Sequence, residues 1–488
     1  MLPTLPAAFS NWNVAPPSLG FAAFVLAVLI AYYLLAGRRQ NLLLLIASYV
    51  FCAAWNPWFV AVVLVSSVLN YLVALRLGAS AGSSKRAWLW TGIGLNLAGL
   101  VAFKYIDQTA RYSSVLFRLL GITLPQAAIL QPIGISFYTL QALSYLMDVY
   151  ASQLPPTGSF LEVSLYLAYF PKLLAGPIER AGHFFEQIRA QTPVTNREFG
   201  EATVKITVGL VRKLVIADRL MPFVPPEIFT QPRSFTAPDL LFWWLAYAFV
   251  IYNDFAGYTS IARGVSELFG VRLSPNFEQP FLATSFVDFW NRWHISLSHW
   301  LRDYVYLPVS RALLRRNPSG RYLPNLLVPP LITMFISGLW HGAVPHLLFW
   351  GLLNGALQGI ERVYKSRVRV TAARPPRWRK ALSIAGTLIL MFLISVPFRL
   401  EVPETFTFWL QLLHWGARTS LTFAGIIRPV LAIALSLALD LAPMPARDET
   451  GWLRRRPALQ SAALAVAILF IFLATRQQAT APFIYQQF

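Results

Sequence analysis

Two histidines stand where polar rings are costly. His341 lies in "SGLWHGAVPHLLFW" (337–350) and His294 in "DFWNRWHISLSHWLRDYVYLP" (288–308), both among apolar and aromatic residues. A ring at that depth needs a partner or a task. An imidazole titrating near about pH 6.5 can take a proton from a hydroxyl close to neutrality. Gly338 and Gly342 flank His341 and leave room for a backbone or a ligand, and Trp340 could keep water out. Read locally, His341 is equally a packing histidine whose nitrogens bond to neighbouring helices.

On helical spacing, Trp290, His294, Ser298 and Arg302 fall on one stripe, while Trp293, Leu297, Trp300, Leu301 and Tyr304 form an apolar face. His299 and Asp303 are spaced to pair at i,i+4. Such a helix could lie in a membrane interface on its tryptophans. It could also turn its His, Ser and Arg toward a cavity holding an anionic or thioester-bearing ligand.

These residues sit in a chain built for lipid. Hydrophobic residues make up 56% and charged residues 13% of it, about half the charge of a soluble protein. Apolar runs recur throughout and predict an all-α polytopic membrane protein with about 10–12 membrane helices. The first run begins at Leu19 without a basic leader or cleavage site, so no cleavable signal peptide is expected. Further runs cover 41–55, 58–75, 88–103, 323–340, 347–360, 381–396, 421–441 and 461–474, with "WNPW" (55–58) as an aromatic turn. The stretches 132–150, 169–180 and 197–224 mix Pro, Gly and charge, and are expected to be tilted, re-entrant or interfacial.

The net charge of +20 fits cytoplasmic loops rich in Lys and Arg better than nucleic-acid binding. Basic stretches at 311–321, 365–380 and 454–456 are the cytoplasmic candidates, which puts the C-terminal tail outside. A loop around Lys104, Arg111 and Arg118 breaks the charge rule locally. One cysteine, Cys52, excludes a disulfide framework and a cysteine-based metal site within this chain, and no metal is expected. Domain organisation reads as one membrane-embedded unit over 1–488. Its core is 50–365, its peripheral helices lie within 1–49 and 381–475, and its extracytoplasmic tail is 476–488. Composition leaves three classes open: an enzyme, a polysaccharide or lipid transporter, and a subunit that recruits partners.

The strings "RWHISLS" and "GLWHGA" together resemble the membrane-bound O-acyltransferases, most closely the bacterial alginate O-acetylation branch. The likeness extends to "YNDFAGYTSIARG" (252–264), "NFEQPFLATS" (276–285), "PIGISFYTLQALSYLMDVY" (132–150), "YFPKLLAGPIER" (169–180) and the final "FIYQQF". The sequence departs from that pattern at Ser260, where an acidic residue is usual, and at Asn354, where relatives often have histidine. In "FIYQQF" a glutamine stands where a second aromatic is common. Neither key histidine is lost.

The resemblance implies a ring of tilted helices with a thinned centre, and it assigns the catalytic role to His341 and a second functional role to His294. It implies acetyl-CoA as co-substrate, with no tightly bound cofactor, and transfer to an extracellular or periplasmic polysaccharide. Implied partners are separate periplasmic or extracellular acetyltransferase-like or hydrolase-like subunits, together with membrane lipids. The implied location is the bacterial inner membrane. D-alanyl or another acyl group is the alternative cargo. Trp340, Ser298, Arg302 and Asn354 are the expected substrate contacts, and Tyr485 of the tail is the expected acyl relay.

Overall fold

The computed structural model describes residues 16–106, 130–368, 376–416, 419 and 421–441. The described residues are all-α, apart from one isolated antiparallel bridge between Phe277 and Trp293. Among the described residues, five helices are long and apolar enough to cross a bilayer: Pro57–Ala79, Ala237–Leu268, Leu323–His341, Arg377–Phe398 and Phe423–Leu441. The chain is a multi-pass membrane protein. The expected count of about 10–12 crossings also took in shorter runs. The expected span at 461–474, the tail 476–488 and Tyr485 lie outside the described residues.

The N-terminal helices are α1 (Leu19–Tyr33), α2 (Arg38–Trp55), α3 (Pro57–Ala79) and α4 (Gly82–Leu100). The "WNPW" turn works as read: the Asn56 side chain accepts from Trp58 N at 2.9 Å, and Pro57 takes the first helical position. In the membrane, helices gain from polar pairing and close approach rather than from exclusion of water. Asn70 of α3 and Asn96 of α4 accordingly exchange amide hydrogen bonds of 3.1 and 2.8 Å.

Helix α4 runs into a π-helical turn, Val101–Tyr105. Lys104 belongs to this turn and is only 6% exposed, so it is not a loop charge. The local breach of the charge rule at Lys104 therefore disappears. Arg111 and Arg118 lie outside the described residues.

The "PIGISFYTLQ" string forms α5 (Ile135–Tyr150), buried along most of its length. Helices α6 (Phe160–Ala168), α7 (Phe170–Leu173) and α8 (Ala181–Ala190) follow. Next come α9 (Asn196–Leu210) and the long α10 (Ala237–Leu268), which at 32 residues extends roughly 48 Å. Helix α10 is not legible as an apolar run, because Asn253, Asp254, Arg263 and Glu267 interrupt it. Two of those charges are matched across helices. Lys205 pairs with Glu267 at 2.5 Å, and Lys213 with Asp254 at 2.6 Å. Each ion pair offsets part of the cost of taking its two charges out of water.

The site region is built from α11 (Phe286–Arg292), α12 (Ile295–Leu301), α13 (Leu307–Arg316) and the hairpin of α14 (Leu323–His341) with α15 (Pro345–Arg367). Small residues bring the hairpin backbones together. A Cβ on Gly338 would collide with Leu347 O, and one on Gly351 would collide with Met334 O. Gly338 thus serves helix contact rather than ligand access. Helices α16 (Arg377–Ser395), α17 (Val402–Gln411) and α18 (Phe423–Leu441) complete the described chain.

Candidate active site

His341 is the last residue of α14, and its depth follows from the glycine-closed hairpin. It is 4% exposed. Its ring meets Trp340 at 4.8 Å between centroids, Phe398 at 5.0 Å and Trp350 of α15 at 5.4 Å.

His294 reaches the same place from a break in the chain. The expected single helix with a Trp290, His294, Ser298 and Arg302 stripe is not formed. Helix α11 stops at Arg292, and His294 adopts a left-handed backbone with φ of 43°. The reason is a competing partner for the backbone. The extended segment 276–278 takes the hydrogen bonds that a helix would use, with Glu278 N donating to Arg292 O and Ile295 N to Asn276 O, both at 2.9 Å. Asn276 Oδ1 also accepts from Ser296 N at 3.2 Å and from Ser296 Oγ at 2.7 Å. "NFEQPF" therefore shapes "RWHISLS". A left-handed residue with a side chain is uncommon and often marks a functional position.

His294 is 1% exposed and lies among Phe255 at 4.8 Å, Trp340 at 6.1 Å and Phe137 at 6.3 Å between centroids. The Trp340 indole is thus a neighbour of both imidazoles. Its Nε1 donates to Ser136 O at 3.3 Å, which ties it to α5. Two buried imidazoles share one aromatic wall, an arrangement that can shield proton transfer from bulk water.

The other expected contacts divide. Trp340 is central. Ser298 Oγ donates to Trp293 O at 3.1 Å and so braces the break. Asn354 is fully buried and donates from Nδ2 to Trp350 O at 2.9 Å, one turn from the ring that touches His341. Its Oδ1 has no hydrogen-bond partner among the described residues. Arg302 is not brought to the histidines. Its side chain is 52% exposed and pairs with Asp303 at 2.9 Å. Asp303 also accepts from Arg180 Nη2 at 2.9 Å. Ser260 is buried on α10.

The remaining motif strings brace this region. Trp300 Nε1 donates to Leu140 O at 2.8 Å, and Ile178 N donates to Ser296 Oγ at 3.0 Å. Tyr304 donates to Asp148 at 2.6 Å. At the periphery, His183 of α8 lies 3.3 Å from Glu179. That hydrogen bond holds its imidazole above the usual histidine range. Glu179 also accepts from Ser274 N and from Ser274 Oγ, fastening 169–180 to the chain before Asn276. Sequence reasoning missed Phe137, Phe255, Trp350 and Phe398 as ring partners. A solitary lysine in the apolar "GLVAFKYI" was the legible trace of Lys104.

Several known proteins resemble this chain. The "Probable alginate O-acetylase AlgI" of Azotobacter vinelandii is 33% identical over 490 residues, covering 94% of this chain and 96% of its own. The "Peptidoglycan O-acetyltransferase" of Helicobacter pylori is 31% identical over 381 residues, covering 71% of this chain and 70% of its own. The "Teichoic acid D-alanyltransferase" of Streptococcus thermophilus is 30% identical over 291 residues, covering 55% of this chain and 68% of its own. A model of the membrane-bound O-acyltransferase family matches residues 19–401, a span that holds both histidines and every ring described around them. The chain belongs to the membrane-bound O-acyltransferase family and is an acyltransferase.

Proposed function

We propose that the protein transfers acetyl groups from cytoplasmic acetyl-CoA to an envelope polysaccharide outside the bacterial inner membrane, with alginate-like polymers as the leading acceptor class. The observation that carries the reading is the pair of buried imidazoles, His294 and His341, on one indole, Trp340. The names of the relatives supply the acceptor class. His341 acts as the base. It takes the proton of the attacking hydroxyl while a C–O bond forms at the acyl carbon. The C–S bond then breaks, and the proton passes to the departing thiolate. His294 orients or polarises the acyl carbonyl. Trp340 excludes water, and buried Asn354 supports the donor end of the site. Ser298 acts through the turn that holds His294.

Acetyl-CoA approaches from the cytoplasmic face. Arg311, Arg315 and Arg316 of α13 and Lys365 and Arg367 of α15 support this, because basic residues gather on that side and attract phosphates. No tightly bound cofactor is needed. In the same reading the C-terminus is extracytoplasmic, and Tyr485 carries the acyl group as an aryl ester to a periplasmic or extracellular acetyltransferase-like subunit. The test uses inverted and right-side-out membrane vesicles with labelled acetyl-CoA. Consumption by inverted vesicles alone supports the sidedness, and consumption by right-side-out vesicles alone refutes it. Tyr485→Phe keeps the ring and loses the oxygen; wild-type polymer acetylation by this variant removes the relay. D-alanyl transfer is the second reading, favoured by the streptococcal relative. It predicts label from a D-alanyl donor and none from acetyl-CoA.

A further inference from the structure

The C-terminal end of α14 is held by a second element that the family motifs do not include. The last carbonyls of a helix have no intrahelical donors. Here Leu339 O accepts from Tyr105 OH at 2.8 Å, and Trp340 O accepts from Lys104 Nζ at 2.7 Å. Both donors come from the five-residue π-helical turn Val101–Tyr105, a backbone form concentrated at functional sites. Lys104 Nζ also lies 3.3 Å from Ser136 Oγ and 5.5 Å from the Trp340 ring centroid. No carboxylate pairs with this ammonium among the described residues. Its charge is met by a hydroxyl, an indole face and the negative end of the α14 dipole.

The carbonyl it holds belongs to the peptide group that joins Trp340 to His341. That peptide sets where both rings stand. Displacing it by an ångström would displace the imidazole by a similar amount, and misplacement on that scale costs about 100-fold in rate. We infer that Lys104 is a positioning residue for acyl transfer: its buried ammonium clamps the Trp340–His341 peptide and fixes the imidazole between Trp350 and Phe398. The inference rests on the proposed role of His341. Tyr105 is the neutral companion of the clamp, one carbonyl earlier.

The test compares Lys104→Met, Lys104→Gln and Lys104→Arg with wild type and His341→Ala. Initial rates of acetyl-CoA consumption are measured in inverted vesicles and divided by folded protein, taken from the monodisperse peak in detergent. Methionine keeps the reach and removes the donor. Glutamine donates without charge. Arginine keeps both donor and charge. The expected order of kcat is Arg, then Gln, then Met, with Met at least about tenfold below wild type and KM for acetyl-CoA within about twofold. A merely structural lysine would lower the amount of folded protein and leave the rate per molecule unchanged in whichever variants fold; that result overturns the inference. So does a loss confined to KM. Wild-type kcat in Lys104→Met beside an inactive His341→Ala overturns the lysine inference alone, whereas an active His341→Ala overturns the reading beneath it.

Discussion

His294 packs edge-on against Trp340 with ring centroids 6.1 Å apart, although one stands at a break between short helices and the other near the end of a long one. The contact exists because segment 276–278 turns the first helix aside and the Gly338–Gly351 seam buries the second.

His341→Ala removes the proposed base. Loss of a general base costs about 10²–10⁴-fold. The variant should insert and fold as wild type does while acyl transfer falls by at least about 100-fold. Labelled acetate on the acceptor polymer, normalised to membrane protein, is the measurement. Near-normal labelling would remove His341 from the mechanism.

His294→Asn separates ring from backbone. Asparagine accepts a left-handed conformation better than most residues. Thermal stability in detergent should therefore change little, while transfer drops by about tenfold or more. If His294→Asn supports wild-type rates, the position serves only the turn.

Gly338→Ala places a methyl against Leu347 O, where no flexible side chain can give way. The hairpin must open. Overpacking of this kind costs about 1–3 kcal/mol. A lower unfolding temperature with reduced activity is expected, and an unchanged melting curve would show that the seam relaxes without strain.

The His183–Glu179 contact gives a pH dependence. The hydrogen bond to Glu179 raises the imidazole above its ordinary value, so the protonated form is favoured in the folded protein. Its stabilisation is complete below about pH 6.5 and fades as pH rises through the folded value. The melting temperature of wild type should exceed that of His183→Gln at about pH 5.5, and the gap should close by about pH 9. A gap that widens with pH would reverse the assignment.

The sequence by itself determined the solvent and the chemistry on offer. Apolar runs at 323–340, 381–396 and 421–441 became helices at nearly those bounds, since a helix must satisfy its own backbone in lipid. The turn at Asn56–Pro57 was legible because its capping residues are local. The strings around His294 and His341 marked the residues from which the site is built.

Tertiary structure decided the rest. A projection along 288–308 gave one stripe, because helical spacing cannot register a distant segment that competes for the backbone; Asn276 and Glu278 broke the helix and left Arg302 outside the site. The same limit applies to Lys104. Charge counting treats a lysine as solvated and assigns it to a loop. Only the folded chain shows its ammonium on the carbonyl of Trp340, with helix α14 and Ser136 supplying what water would otherwise provide.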